Sequence, residues 1–279
     1  MSQQTLIVVG GAGYIGSHMI KPLLAAGYQP IVVDNFSTGH RDAVVNATLI
    51  DGDMGDAELL DALFKQYNFH AVFHFASSIQ VGESVRNPRK YYQNNVSNTL
   101  TLLDAMIKHH VKYFIFSSTA AVYGEPEYST IDTFHPKFPV NPYGRSKWMI
   151  EQILQDYTAA YDFHYTALRY FNAAGADPSG LLGERHEPET HLIPLILQVA
   201  SGLKSCIDLY GNDYPTKDGT CIRDYIHVID LCHAHLLALE SLKKNKISTA
   251  YNLGTGVGFT VREVIACAAK ITKQKISIN

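Results

Sequence analysis

The sequence contains few cysteines and only one tryptophan. None of the four cysteines forms a Cys-x-x-Cys pair with another, so a disulfide framework is not expected; they are Cys206, Cys221, Cys232 and Cys267. Isolated cysteines of this kind are typical of small apolar side chains in a reduced compartment. We therefore expect a cytoplasmic protein.

The chain also lacks a long apolar run and an extended basic run. No stretch reaches the roughly 20 apolar residues that a membrane-spanning helix needs, and the apolar run after Thr5 is too short for a signal peptide. The net charge is −3, from 23 Lys+Arg and 26 Asp+Glu, which argues against nucleic acid or an acidic membrane as the main partner. With 279 residues, 46% of them hydrophobic, the chain can form one large domain or two small ones.

Apolar strands alternate with amphipathic helices through the first 170 residues. Strands that are apolar throughout and separated by helices indicate a parallel sheet covered on both faces. The predicted strands are residues 6–9, 30–34, 46–53, 71–76, 113–118 and 165–170, and the predicted helices are 15–26, 56–67, 88–109 and 142–161. The pattern predicts a Rossmann-like, doubly wound α/β fold.

The pattern changes beyond residue 173. Residues 172–194 are rich in Gly, Pro, His and Glu, which is typical of a loop region. After it we predict a helix over 192–203, a strand-like turn and helix over 223–242, a short strand near Tyr251, a helix from near Val261, and a last strand-like run over 275–278. We assign residues 1–173 and about 224–247 to a dinucleotide-binding domain. Residues about 174–223 and 248–279 form a smaller α/β lobe.

Three glycines, Gly10, Gly13 and Gly16, lie between the first strand and the first helix. Glycines at these positions permit a tight turn and let backbone amides approach a pyrophosphate, to which the helix N-terminus adds partial positive charge. Because a strand precedes the turn and a helix follows it, the pattern favours dinucleotide binding over a purely structural turn.

Polar residues follow the other strand ends. Asp34 ends the second strand, 18 positions after Gly16, where an acid accepts hydrogen bonds from a ribose diol. It would repel a 2′-phosphate, so NAD is favoured over NADP; the alternative is a turn Asp that caps a loop. Asp53 could reach an adenine amino group, and 75–77 and 117–119 end two further strands. Because ligands bind at the carboxyl ends of parallel strands, these residues should line one crevice.

Tyr143 and Lys147 lie four residues apart at the start of the predicted helix over 142–161. On a helix both side chains leave the same face, one turn apart. A nearby cation stabilises a phenolate, so we expect the pKa of Tyr143 to fall from about 10 towards neutrality, as a general base requires. Such pairs are usually ordinary helix surface, but here the predicted crevice supplies a partner for the chemistry.

The chain resembles the extended short-chain dehydrogenase/reductases over nearly all its length, and within them the UDP-glucose 4-epimerases. The resemblance is carried by the glycine turn, Tyr143-x-x-x-Lys147 and a series of short segments; among these are 34–35, 52–53, 74–76, 81–85, 94–96, 116–119, 122–124, 169–172, 211–214, 218–220, 222–228 and 251–254. The later segments are the part specific to the epimerases.

The resemblance implies roles for individual residues. Tyr143 would take the proton from the sugar's 4-hydroxyl, Lys147 would hold the cofactor ribose, and Thr119 would hydrogen-bond the 4-oxygen. Together with the strand ends, it implies a cofactor-binding set of Gly10, Gly13, Tyr14, Ile15, Gly16, Asp34, Asn35, Ser37, Thr38, Gly39, Asp53, Met54, Phe75, Ala76, Ser77, Asn94, Ser117, Tyr143, Lys147 and Tyr170. The implied substrate-binding set is Thr119, Tyr143, Asn172, His191, Leu192, Tyr210 and Arg223. Arg223 could instead form an ion pair with Asp224 or Asp230.

The resemblance implies an isomerase that interconverts UDP-glucose and UDP-galactose, in galactose metabolism, with tightly bound NAD. The dehydratases of this scaffold carry an acid just after the Ser/Thr position; here Ala120 and Ala121 follow Thr119, which argues against water elimination. Two alternatives stay open: an epimerase for UDP-N-acetylhexosamines or UDP-uronic acids, and an NAD-binding protein with impaired catalysis. The second arises because relatives continue for several tens of residues beyond the position of Asn279.

Two further expectations concern assembly and metals. The resemblance implies a homodimer in which the helices over 88–109 and 142–161 pair with their copies. His227, His233 and His235 cluster in the sequence, but they share no standard zinc spacing with Cys or acidic partners, so no metal site is predicted.

Overall fold

The computed structural model describes residues 3–128 and 130–279. Its strands are β1 (Thr5–Val9), β2 (Gln29–Asp34), β3 (Thr48–Asp51), β4 (Phe69–His74), β5 (Tyr113–Thr119), β6 (His164–Tyr170), β7 (Asn172–Ala174), β8 (Ile222–His227), β9 (Thr249–Leu253) and β10 (Gly258–Thr260). Its α-helices are α1 (Tyr14–Ala25), α2 (Ala57–Gln66), α3 (Val81–Arg86), α4 (Pro88–Tyr91), α5 (Asn98–Lys108), α6 (Pro142–Ala160), α7 (Leu192–Ala200), α8 (Val228–Asn245) and α9 (Val261–Thr272). Short 3₁₀ turns cover Arg41–Ala43 and Ala120–Val122.

Seven parallel strands form the main sheet in the order β3-β2-β1-β4-β5-β6-β9. Along β1, Ile7 and Val9 face one layer of helices and Leu6 and Val8 face the other, because side chains alternate across a strand. The first layer packs α2, α5 and α6 on the sheet, and the second packs α1 and α8. The predicted Rossmann-like fold is confirmed, and the strand order reverses between β1 and β4, where such sheets bind ligands.

The remaining elements form a smaller unit beside the carboxyl ends of the strands. In its three-stranded sheet, ordered β10-β8-β7, β8 is antiparallel to β10 and parallel to β7. Next to this sheet, α7 and α9 pack against each other around Ile196 and Ile265. No helix in the described parts of the chain is both long and apolar enough to cross a membrane.

Several sequence expectations need correction. Residues 249–253, assigned to the smaller lobe, form β9 and extend the main sheet by pairing with β6. Residues 224–227, assigned to the main domain, lie in β8 of the small sheet, and the expected loop over 172–194 begins with β7. The strand-like run over 275–278 pairs only at its end, where backbone hydrogen bonds around a parallel bridge between Ile278 and Ile207 connect residues 277–279 with 207–209. The rest of the domain division stays a prediction.

The helix expected over 88–109 is not uniform. A π-helical segment, Tyr92–Ser97, separates α4 from α5. Such a segment holds one extra residue in a helix and is frequent at functional sites. Here it adjoins the cleft, which Asn94 lines.

Candidate active site

The glycine turn joins β1 to α1 at the reversal of strand order. Gly10 has a φ of +77°, and a Cβ on it would lie 2.4 Å from the backbone nitrogen of Ala76. A Cβ on Gly16 would lie 2.3 Å from the carbonyl oxygen of Gly10. Gly13 precedes α1 without a side-chain cap, so the first amides of the helix are left to a ligand. The turn fits the pyrophosphate of a dinucleotide.

Asp34 lies at the carboxyl end of β2 and is buried. Its Oδ2 accepts a hydrogen bond from the Ala12 amide at 2.9 Å, and its Oδ1 accepts one from Phe36 N at 2.8 Å. Burial raises the pKa of this carboxyl, and the two amide donors oppose that effect. Arg41, the nearest arginine in sequence, is paired with Asp51. The surroundings therefore suit a neutral ribose diol rather than a 2′-phosphate.

A second acid of the cleft, Asp53, follows β3. Asp53 accepts hydrogen bonds at Oδ2 from Asn35 Nδ2, at 2.6 Å, and at Oδ1 from the Gly55 amide, at 2.7 Å. These bonds fix the orientation of the carboxylate at the end of β3. Asp53 and Asn35 both line the cleft, as the sequence predicts.

The start of α6 carries the Tyr143–Lys147 pair. Asn141 caps this helix by accepting a hydrogen bond from Gly144 N at 2.9 Å, and Pro142 occupies its first turn. The Lys147 side chain lies across the sheet ends: its Nζ donates to the carbonyl of Ser117 at 2.6 Å and to Ser77 Oγ at 2.7 Å. Lys147 is only 2% exposed, and burial lowers its pKa to about 7, which Glu151 partly opposes.

The expected lowering of the pKa of Tyr143 is wrong for the chain by itself. Burial raises the pKa of this phenol, and a hydrogen bond with Thr119 offsets only part of that rise. The reason is that the Lys147 ammonium donates to Ser77 and Ser117, while the phenolate would lose its hydration. Sequence spacing shows that two side chains share a helix face, but not how deeply they are buried.

Other predicted side chains complete the walls around the pair. Thr119, at the end of β5, is buried and its Oγ1 accepts a hydrogen bond from Ala121 N at 3.1 Å. Ser117 and Tyr170 contact each other through their hydroxyls on the neighbouring strands β5 and β6. Asn172, at the start of β7, donates to the carbonyl of Asp224 on β8 at 2.8 Å, and both residues line the cleft.

All these elements border one cleft with a volume of about 1200 Å³. This exceeds the roughly 300–1,000 Å³ of a typical site for one small molecule, so the cleft has room for more than one ligand group. It is lined by every predicted site residue except Gly39 and Tyr210. Gly39 packs behind Ala12 and Asp34, whereas Tyr210 is 85% exposed and does not line the cleft.

The far wall contains Arg223, His191 and Leu192. In the described ranges, 3–128 and 130–279, the Arg223 guanidinium forms no ion pair; it donates to the carbonyl of Ile222 at 3.0 Å. Asp224 instead accepts hydrogen bonds from the loop after β9. Arg223 therefore remains available to a diphosphate.

His191 lies among acidic residues on the same wall. Burial lowers the pKa of His191, but hydrogen bonds and charge from Glu184 and Glu189 outweigh burial and raise it above its usual value. His191 Nδ1 lies 2.9 Å from Glu184 and 3.1 Å from Glu189. His191 alone was predicted from the sequence, and its acidic partners Glu184 and Glu189 were not.

Residues behind the cleft were missed as well. Glu151 and Arg169 form a buried ion pair, and Ser118 Oγ donates to Glu151 Oε1 at 2.5 Å. Asn95, in the π-helical segment, donates to Ser146 Oγ and to the carbonyl of Ser78, both at 3.0 Å. Glu151 follows Lys147 by four positions on α6, and that spacing was a signal that could have found it.

Comparison with known proteins agrees with this geometry. Residues 6–254 match the NAD dependent epimerase/dehydratase family. The chain is 51% identical to the UDP-glucose 4-epimerase of Halalkalibacterium halodurans over 271 residues, which cover 97% of this chain and 81% of that protein.

Solved structures of UDP-glucose 4-epimerases are also similar to this chain. The UDP-glucose 4-epimerase from Brucella ovis in complex with NAD superposes with a TM-score of 0.97 at 48% identity, covering 99% of this chain and 85% of that one. The enzyme from Bifidobacterium longum in complex with NAD+ and UDP gives a TM-score of 0.93 at 40% identity, covering 99% and 85%.

Proposed function

Because the chain belongs to the NAD dependent epimerase/dehydratase family, we propose that it is an NAD-using isomerase that interconverts UDP-glucose and UDP-galactose. The observation that carries the proposal is the joint lining of one cleft by the glycine turn, Asp34, Tyr143 and the buried Lys147. The cofactor fits this chain because Gly10 and Gly16 leave no room for a Cβ and Asp34 stands where a ribose diol is bound.

The chemistry is centred on Tyr143. It accepts the proton of the sugar's 4-hydroxyl and later returns a proton to the 4-oxygen, as a general base and then a general acid. When bound, NAD+ supplies the hydride acceptor, and then the donor, at carbon 4. Lys147 would hold the cofactor ribose, the positive charge of bound NAD+ would favour the phenolate, and Thr119 would hydrogen-bond the 4-oxygen.

Epimerisation also requires space for the sugar. Between oxidation and reduction the sugar must present its opposite face, and the volume of about 1200 Å³ accommodates that turn. Ala120 and Ala121 provide no acid for water elimination, which favours epimerisation over dehydration. The uridine diphosphate is bound by Asn172, His191, Leu192 and Arg223; Tyr210 is left out because it is exposed and does not line the cleft.

The remaining parts of the proposal concern assembly and cellular context. The helices over 88–109 and 142–161 pair with their copies in a homodimer, and two apolar side chains on or beside α6 support this: Met149 is 40% exposed and Tyr161 50%. A monomer in light scattering would refute it. The enzyme works in the cytoplasm, in galactose metabolism.

The proposal is tested by incubating the NAD-loaded protein with UDP-galactose and measuring UDP-glucose by chromatography. Tyr143→Phe should lower turnover by about 100-fold or more while NAD stays bound, because general acid–base groups contribute roughly 10²–10⁴-fold. Tyr67→Phe is the matched control: its ring packs against Phe69, and Tyr67 neither lines the cleft nor lies on the two helices of the proposed dimer. Near-normal turnover by Tyr143→Phe would contradict the assigned role.

The same assay with UDP-N-acetylgalactosamine tests the substrate range. Faster conversion of that sugar than of UDP-galactose would favour an N-acetylhexosamine epimerase. No conversion of either sugar by the protein with NAD bound would overturn the enzymatic proposal.

A further inference from the structure

A cluster of four metal-ligating side chains lies in the loop between β7 and α7. Its members are Glu184, His186, Glu189 and His191, and we refer to them as the loop cluster. Each offers one ligand atom, and the four ligand atoms all lie within 4.8 Å of one another. Two imidazoles and two carboxylates are a complete ligand set for a four-coordinate transition metal.

The separations in the loop cluster match a tetrahedral site. His191 Nδ1 lies 2.9 Å from Glu184 Oε1 and 3.1 Å from Glu189 Oε1. His186 Nδ1 lies 3.5 Å from Glu184 Oε1 and 3.8 Å from Glu189 Oε2. Ligands at the 2.0–2.2 Å bond lengths of zinc occupy the corners of a tetrahedron with edges of about 3.3–3.6 Å. His191 approaches Oε1 of Glu189 and His186 approaches Oε2, so three of these distances are edges of a tetrahedron built on either oxygen, and all of them lie close to that range.

Three of the four side chains are largely buried, whereas His191 is 42% exposed. The side chains of Glu184, Glu189 and His186 are only 9%, 6% and 13% exposed. Across the described ranges of the chain, no lysine or arginine lies within ion-pair distance of either carboxylate, since Arg185 pairs with Asp42 instead. His186 Nδ1 is buried without a hydrogen-bond partner. Glu189 Oε1 accepts hydrogen bonds from the amides of Thr190 and His191, at 2.8 and 2.9 Å, but these neutral donors do not cancel the repulsion between two adjacent carboxylates. A bound cation would relieve that repulsion and give the His186 nitrogen a partner.

We propose that the loop cluster binds one Zn²⁺ ion through His186 Nδ1, His191 Nδ1 and one carboxylate oxygen each of Glu184 and Glu189. The mixture of imidazole and carboxylate suits zinc, whereas Mg²⁺ and Ca²⁺ prefer oxygen ligands in larger coordination shells. Four protein ligands close the shell, which is the arrangement of structural rather than catalytic zinc.

Zinc binding would fix the position of one part of the cleft wall. The zinc clamps the loop directly before Leu192, the first residue of α7, and this part of the wall also lines the cleft. Coordination through Nδ1 leaves the Nε2–H of His191 free to donate to a phosphate oxygen. His191 can therefore serve the metal and the nucleotide with different nitrogens.

The experiment uses the NAD-loaded protein after removal of metals with a chelator. Titration with ZnCl₂ in a calorimeter should show one equivalent bound, and excess Mg²⁺ should not displace it. Glu189→Gln, which conserves the shape of the side chain, and His186→Ala should each weaken binding by about 10-fold or more. His233→Ala is the matched control, since His233 is an exposed histidine outside the cluster. Affinity unchanged in both cluster variants would overturn the proposal.

A second measurement does not depend on how the variants fold. Co²⁺ in place of zinc should give the intense visible absorption of a tetrahedral site in the unsubstituted protein, and saturating Zn²⁺ should abolish that absorption. Zinc should also raise the melting temperature, because it binds the folded state. No Co²⁺ spectrum and no zinc-dependent shift would leave a purely hydrogen-bonded cluster and refute the zinc site. Both readouts are independent of turnover, so they separate this proposal from the proposed reaction.

Discussion

The buried ion pair behind the cleft should control the stability of the fold. Glu151 on α6 is 1% exposed and Arg169 on β6 is 4% exposed. Arg169 Nε lies 3.0 Å from Glu151 Oε1 and Nη2 lies 2.5 Å from Oε2, while Nη1 donates to Tyr123 OH at 2.8 Å. Replacing Glu151 by Gln keeps the shape and removes the only carboxylate bound to this guanidinium within the described residues.

The expected cost is large because an unpaired charge would stay buried. Breaking a buried pair by removing one partner costs roughly 3–5 kcal/mol. For a chain of this size each kcal/mol lowers the melting temperature by about 2–4 °C, so Glu151→Gln should melt roughly 10 °C below the unsubstituted protein. The assay is thermal unfolding followed by circular dichroism at constant pH and NAD concentration.

Two further variants test the reasoning. Asp162→Asn removes the partner of Lys112 in a solvent-exposed ion pair and should leave the melting temperature nearly unchanged. Combining Glu151→Gln with Arg169→Met should cost less than the two single losses added together, because the stranded charge is gone. The reasoning is refuted if Glu151→Gln melts within about 2 °C of the unsubstituted protein, or if the two losses simply add.

Three more outcomes follow from the cleft and its turn. Burial lowers the pKa of Lys147 to about 7, so the unfolded chain binds more protons between pH 7 and about 10, and stability should rise with pH over that window. Lys147→Met should remove that rise, which urea titrations at pH 7 and pH 9.5 would detect. Asp34→Asn should weaken NAD binding about tenfold in fluorescence titration, whereas Asp42→Asn, at an exposed carboxylate, should not. Gly10→Ala should cost several kcal/mol of stability in thermal melts, because its Cβ would lie 2.4 Å from the backbone of Ala76. Gly27→Ala is the control: Gly27 also has positive φ but has nothing within 4 Å, so this change should cost only about 1 kcal/mol. Equal losses in the two variants would show that the clash at Gly10 is relieved.

The parts of the fold that the sequence predicts are those that local physics determines. Strands β1, β4 and β5 are buried on both faces, so their apolar runs were visible, and the glycine turn is dictated by the close approach of Ala76. The pairing of β9 with β6 was not visible. Some 80 residues separate the two strands, and nothing local in 249–253 states which sheet they join.

Burial and contacts across the fold explain the other differences. The spacing of Tyr143 and Lys147 predicted their shared cleft, but the sign of the Tyr143 pKa shift depends on desolvation and on Ser77 and Ser117, which come from other strands. The loop cluster did leave a trace in the sequence. Glu-x-His occurs at 184–186 and again at 189–191, a spacing that differs from the standard zinc patterns.

The π-helical segment makes the length of one helix as important as its composition. On one side, the Tyr91 hydroxyl donates to the carbonyl of Gln80 at 2.6 Å; on the other, Thr99 is hydrogen-bonded to His74 at 3.0 Å. Deleting one residue from Tyr92–Ser97 would restore a regular helix. It would also rotate Thr99 by about 100° about the helix axis relative to Tyr91, so the two hydrogen bonds could not both form. Surface loops tolerate changes in length, but in this helix a single-residue deletion should be more damaging than most substitutions.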